Sequence, residues 1–552
     1  SEPNFPDIIS SISINNSAQR RNEAIIRDVM ENERKRNEIS RQLALREFLK
    51  SNDIPLPDFS TNPGTEYFHN ARKEIVEMLE GKRKLSLKRT IFITENAFFQ
   101  NKMKYEEYDA AIQNLKRICL LKMHEEKLDT NDGLAKLMMA FRVMTEVIEV
   151  KEPGTEKTIV HHPMKYDFDT VVDRGGNRSA KYDERMKKFG TDQVIPLWIA
   201  DMDFKTAQPI IDALKARAEE GIWGYTARPD SYFEAIRGWQ KRRNGWDIDQ
   251  SLMSFSLGVV QTLSACVKLF TPEGGSVLIQ TPVYSEFYDM TEAWNRKVLE
   301  NQFVEKDGKW TVDWADFEEK LKQADLFLLC SPHNPLGHVW TEEELRRMME
   351  LCLKHHVLVV SDEIHSDLIF HGKKHIPTAT LSPEIAANVI TGISGTKTFN
   401  LAGLQASTVV FPNAHKKEVF DKFWMNMDIH RNNAFSLTAM EAAFNQGEEW
   451  LDQLLPYLSA NFDYVVDYCE KRIPKIKTYA PDATYLMWLD CRELGMGNEA
   501  LHDFMIRKAK LGLNDGCSFG RSLNGYMRLN AACPRSVLER AMKQLEAAVK
   551  AL

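Results

Sequence analysis

The chain has 552 residues, 43% of them hydrophobic and 27% charged, with a formal net charge of −7. That composition belongs to a globular protein long enough to bury several cores. No stretch approaches ~18 uninterrupted apolar residues, which argues against a membrane-spanning helix, and the acidic balance argues against a general nucleic-acid binder. The eight cysteines include no CxxC pair, so no zinc ribbon, thioredoxin-type site or other metal site is expected.

Residues 1–150 carry 24 Lys+Arg against 24 Asp+Glu, so the whole net charge lies beyond them. Their Glu, Arg, Lys and Ala content and spaced apolar positions predict an all-α extension, with helices over 17–50, 66–80, 104–124 and 131–149. His69 and His124 stand alone and read as surface or structural histidines. KEPGTEKTIVHHP (151–163) combines Pro, Gly and charge, and 151–162 reads as a linker.

The pattern then changes. SVLIQ (276–280), LFLLC (326–330), VLVVS (357–361), NVITGI (388–393) and STVVF (407–411) each predict a buried strand. Helical stretches such as TEEELRRMMELCLKHH (341–356) alternate with them. The result is an α/β fold with a mostly parallel sheet and helices on both faces. The helix-rich last stretch suggests a smaller appended domain.

Three polar motifs follow predicted strands: SPHNPLG (331–337), SDEIHSD (361–367) and SGTKTFNLAGL (394–404). Open α/β sheets bind ligands at such strand ends. Asn334, Asp362 and Lys397 would gather along one edge. A lysine there, with an acid and an amide nearby, suits a Schiff-base cofactor. A carboxylate facing a pyridine nitrogen would keep that nitrogen protonated.

These motifs resemble fold-type I pyridoxal-phosphate enzymes of the aminotransferase class I/II superfamily, and within it the MalY/PatB-type cystathionine β-lyases, or C–S lyases. The resemblance covers roughly 163–552. It extends to YDFDTVVDRGGNRSAKYD, IPLWIADMDF, GIWGYTARPDSYFEAI, TPVYSEFY, TYLMWLDCREL and YMRLNAACPRS. It implies an N-terminal arm and small-domain segment (163–210), a large cofactor-binding domain (211–440) and a C-terminal small domain (441–552).

The resemblance also implies roles. Lys397 bonds the cofactor and moves protons at the substrate Cα. Asp362 faces the pyridine nitrogen and Asn334 the ring hydroxyl, with His365 close by. Tyr284 stacks on the ring. Val259 and Val260, opening a helix in LGVVQTL, meet the phosphate with backbone N–H groups, as helix starts do. Ser394 and, more weakly, Thr396 bind it with hydroxyls. Tyr225 reaches the phosphate of the neighbouring subunit, which makes the enzyme a homodimer with shared sites. Arg528 clamps the substrate α-carboxylate with a planar fork, and Ala200 and Asn334 join it in substrate binding. Two positions depart from the wider superfamily. Gln405 stands where many aminotransferases have arginine, and Gly395 where serine is common.

The implied activity is β-elimination from a sulfur amino acid, giving a thiol, pyruvate and ammonia in the cytoplasm, with no nucleic-acid or membrane partner. An aminotransferase is the alternative, because the same residues serve both reactions. A second alternative is a regulatory protein–protein role for the N-terminal extension.

Overall fold

The computed structural model describes residues 165–552 and three short strands before them. The chain divides into two compact units, 1–165 and 166–552. In the first, the strands Met103–Lys104, Ile148–Lys151 and Thr158–His161 form one sheet. The last two pair antiparallel, Ile148 opposite His161 and Lys151 opposite Thr158. The expected linker 151–162 therefore contains strand. Met103–Lys104 and Ile148–Lys151 fall at the edges of two expected helices. The expected helices 17–50 and 66–80, like His69 and His124, lie outside the described residues.

The second unit is built on a seven-stranded sheet: β1 (Met253–Ser256), β2 (Ser276–Thr281), β3 (Lys297–Gln302), β4 (Leu326–Cys330), β5 (Leu358–Asp362), β6 (Val389–Ile393) and β7 (Ser407–Val410), in the order β1-β7-β6-β5-β4-β2-β3. The pairs from β3 to β6 are parallel; β7 runs antiparallel to both β6 and β1. All five predicted strands are present. Burial on both faces explains their continuous apolar runs. Along β4, Leu326, Leu328 and Cys330 pack on one side with Val259, Leu263 and Val267 of helix α1 (Val259–Phe270). Phe327 and Leu329 pack on the other with Leu345, Met348 and Cys352 of α2 (Glu342–Lys354). This is the two-residue period of a strand meeting the helical period of its covers. Burying each such side chain contributes ~1.5–3 kcal/mol. Helix α2 starts in a capping box, Thr341 accepting from Glu344 N–H and Glu344 from Thr341 N–H.

A second, antiparallel sheet has the order β8-β10-β9: β8 (Leu486–Asp490), β9 (Asn514–Asp515) and β10 (Tyr526–Asn530). The long helix α3 (Glu448–Arg472) and the terminal helix α4 (Arg535–Lys550) accompany it. Arg528 lies opposite Trp488 on one side and Asn514 on the other. Among the described residues no helix is long and apolar enough to cross a membrane.

Candidate active site

Three adjacent parallel strands end level with one another: Cys330 pairs with Asp362, and Asp362 with Gly392. The motifs that follow are thereby brought to one edge, as an open sheet requires. Asp362, the last residue of β5, is buried and accepts from Ile364 N–H at 3.2 Å. Burial pushes its carboxyl up to about 7, against the Ile364 N–H and the Lys397 amine. Lys397 follows β6 in a tight turn. Burial, then the Arg528 guanidinium, brings its amine down to about 8. Its Nζ donates to the Ala200 carbonyl at 2.6 Å.

Arg528 reaches the site from the second sheet. Its guanidinium donates to Asn334 Oδ1 at 3.3 Å, Asn514 Oδ1 at 2.9 Å and the Trp198 carbonyl at 3.0 Å. It lies 4.7 Å from the Phe519 ring centroid, a cation–π contact. Burial lowers it to about 10, so it stays charged at neutral pH. Asn334 also ties Tyr284 in place, its carbonyl accepting Tyr284 N–H at 3.1 Å. Burial, then Glu286, raises the Tyr284 phenol to about 12, so its ring meets the site uncharged. His365 is buried, and burial followed by Lys397 and Arg528 lowers it to about 3. It is a neutral imidazole at working pH.

Val259 and Val260 open α1 after Gly258. Their N–H groups belong to the first turn, where a helix leaves donors unpaired. Gly392 lets β6 approach that turn, since a Cβ there would stand 3.0 Å from Val259 Cγ1. The Ser394 hydroxyl donates to the Ala406 carbonyl at 2.7 Å and accepts from Thr396 N–H at 3.1 Å. The two hydroxyls lie 2.9 Å apart, so they brace the lysine turn. Gly395 has a steric reason: a Cβ there would come 2.9 Å from Phe444 Cζ. Gln405 is exposed, with φ +50°. Tyr225 does not join the cluster; it is 97% exposed in a segment with exposed Ile222 and Trp223.

Sequence reasoning left several supports unassigned. Asp367 accepts from Thr398 Oγ1 and Trp239 Nε1, both at 2.9 Å, holding the turn one residue past the lysine. Asn400 accepts from Met202 N–H and donates to the Met202 and Phe204 carbonyls. Asp201 and Asp203 pair with Arg174 and the buried Lys181. Tyr485 donates to the same Ala200 carbonyl as Lys397, at 2.7 Å. Asp367, Asn400 and Tyr485 lie within motifs already singled out, but their partners are remote in sequence.

The residues present fit pyridoxal phosphate. Arg528 Nε and His365 Nδ1 are buried without partners. The Asp362 carboxyl, raised by burial, would regain its charge beside a protonated ring nitrogen. A helix start suits the phosphate, and Lys397, with its lowered pKa, suits the aldehyde carbon.

The family described as aminotransferase class I and II matches residues 192–545. Cystathionine beta-lyase PatB of Bacillus subtilis (strain 168) is 41% identical over 385 residues, 69% of this chain and 100% of that one. Protein MalY of Escherichia coli (strain K12) is 34% identical over 391 residues, 70% of this chain and 100% of that one. The crystal structure of cystalysin from Treponema denticola, which contains pyridoxal 5'-phosphate, superposes with a TM-score of 0.68 at 34% identity, over 70% of this chain and 100% of that one.

Proposed function

Since the chain belongs to the aminotransferase class I and II family, we propose that it is a pyridoxal-phosphate-dependent carbon–sulfur lyase. It cleaves the Cβ–S bond of a sulfur amino acid such as L-cystathionine, and with one water gives homocysteine, pyruvate and ammonia. The observation that carries this reading is the meeting of Lys397, Asp362, Asn334 and Arg528 at one sheet edge, in a chain so similar to PatB and cystalysin.

Pyridoxal phosphate, when bound, supplies an electron sink for the charge left at the substrate Cα. Lys397 would hold its aldehyde carbon, Asp362 its ring nitrogen, Asn334 its ring hydroxyl, and the first turn of α1 with Ser394 its phosphate. Tyr284 would cover the ring. Arg528 binds the substrate α-carboxylate with its fork, a charge-assisted contact that fixes the Cα–H direction. Lys397, its amine lowered to about 8 and so losing its own proton as pH rises through that value, takes the proton from Cα as general base. His365, neutral beside Lys397 and Arg528, adds a hydrogen-bonding ring without further positive charge. The departing sulfur then takes the electron pair of the Cβ–S bond.

The exposed run of Ile222, Trp223 and Tyr225 suits contact with a second copy of the chain, with Tyr225 serving the partner's phosphate. Cys266, Cys330, Cys352, Cys469, Cys491, Cys517 and Cys533 are all free thiols, which suits a reducing compartment such as the cytoplasm.

The test is product analysis with L-cystathionine and no keto-acid acceptor. Sustained, equimolar pyruvate, ammonia and homocysteine are expected. A single turnover that stops until a keto acid is added would mean an aminotransferase instead.

A further inference from the structure

The Ala200 carbonyl accepts two hydrogen bonds, from Lys397 Nζ at 2.6 Å and from the Tyr485 hydroxyl at 2.7 Å. A carbonyl oxygen has two lone pairs, so both are in use. The peptide cannot turn away from either donor. Asn530 Nδ2 donates to the flanking carbonyls of Ile199 and Asp201, at 2.8 and 2.7 Å. Asn400 holds Met202 from the other side.

Tyr485 is itself held with care. It is wholly buried, and its ring stands edge-on to His365 at 6.3 Å. The residue before it, Thr484, has φ +71°. A β-branched residue occupies that left-handed region only under strain, and such strain concentrates at functional sites. Two bonds enforce it: Thr484 N–H donates to Leu368 O at 2.9 Å, and Thr484 Oγ1 accepts from Leu486 N–H at 3.1 Å. Leu368 follows Asp367, which braces the lysine turn through Thr398. The strained residue thus joins the two segments that place Lys397.

We propose that Tyr485 is a positioning residue for Lys397: by occupying one lone pair of the Ala200 carbonyl, it fixes where the lysine amine rests when free and keeps that carbonyl from holding the amine too tightly. The inference rests on the pyridoxal-phosphate reading above. Its physical content is a competition. With the phenol removed, the carbonyl becomes a better acceptor for the ammonium, and the amine is harder to deprotonate. The other charged groups facing Lys397 are Arg528 and Lys181, which favour the neutral amine, and Asp201 and Asp362, which favour the ammonium. His365 is neutral. Tyr485→Phe leaves all of them in place.

The experiment follows pyridoxal phosphate uptake by the full-length, cofactor-stripped protein through its visible absorbance, from about pH 6 to about pH 10, since only the neutral amine attacks the aldehyde. Wild type should show a midpoint near 8. Tyr485→Phe should move it up by about one pH unit, the scale of a hydrogen bond to a charged group. The reloaded variant should show a larger isotope effect on kcat with α-deuterated L-cystathionine, at unchanged KM. An unmoved midpoint and an unchanged isotope effect, with wild-type Tm, would overturn the inference. If Tyr485→Phe does not fold, 3-fluorotyrosine at position 485 keeps the shape and donates more strongly. It should move the midpoint down, and an unmoved midpoint overturns the inference equally. Wild type that takes up no pyridoxal phosphate at any pH would overturn the cofactor reading, and this inference with it. Wild-type uptake with unmoved variants overturns this inference alone.

Discussion

Lys397 owes its chemistry to its neighbours. An ordinary lysine near 10.5 is almost fully protonated at neutral pH; burial and the Arg528 guanidinium lower Lys397 to about 8. Because the folded value is depressed, the neutral base appears as pH rises through about 8. The rate of α-proton removal should rise over that range and level off above it, which stopped-flow measurements across pH would show. Lys397→Ala should lower kcat by about 10⁴-fold, the upper range of general-base contributions. Arg528→Lys keeps the charge but loses the fork. It should raise KM by about tenfold or more, since charge-assisted hydrogen bonds contribute about 1.5–3 kcal/mol, with a smaller effect on kcat. Steady-state kinetics check both.

At the scale of elements, the decisive fact is that β4, β5 and β6 end in register. Gly392 is part of that arrangement, because its missing side chain lets α1 start close to the sheet. Gly392→Ala should displace Val259 and weaken cofactor uptake severalfold, read as a higher Kd for pyridoxal phosphate. Thr341→Ala removes one half of the α2 capping box and should cost about 1 kcal/mol of stability in urea unfolding, with cofactor uptake unchanged. Most of this level could be read from the sequence. Five strands announced themselves as apolar runs because both their faces are covered. The edge strand β3 did not: of its six residues only Val298 and Leu299 are apolar, as a strand with one open edge permits. Asn334, Asp362 and Lys397 were legible because each ends a strand or stands within four residues of a strand end. Tyr485, Asn400 and Asp367 were not. Their roles arise from hydrogen bonds spanning 285, 198 and 31 residues, and no local pattern encodes such distances.

Over the whole molecule, the matched family region ends far short of the N-terminus: it spans 192–545, while PatB is matched over its full length by 385 residues. Removing residues 1–155 should therefore leave kcat and KM within about twofold of the full chain. A large loss would assign the extension a part in catalysis. On the proposed contact with a second copy, Ile222→Asp places a charge in the exposed apolar segment and should lower the mass measured by light scattering from two chains to one. Lys397 as the cofactor-bearing residue is tested by reducing the pyridoxal-phosphate-loaded protein with borohydride and mapping the modified peptide by mass spectrometry. One phosphopyridoxyl group on Lys397 is expected. Attachment to a different lysine, or none at all, would contradict that role.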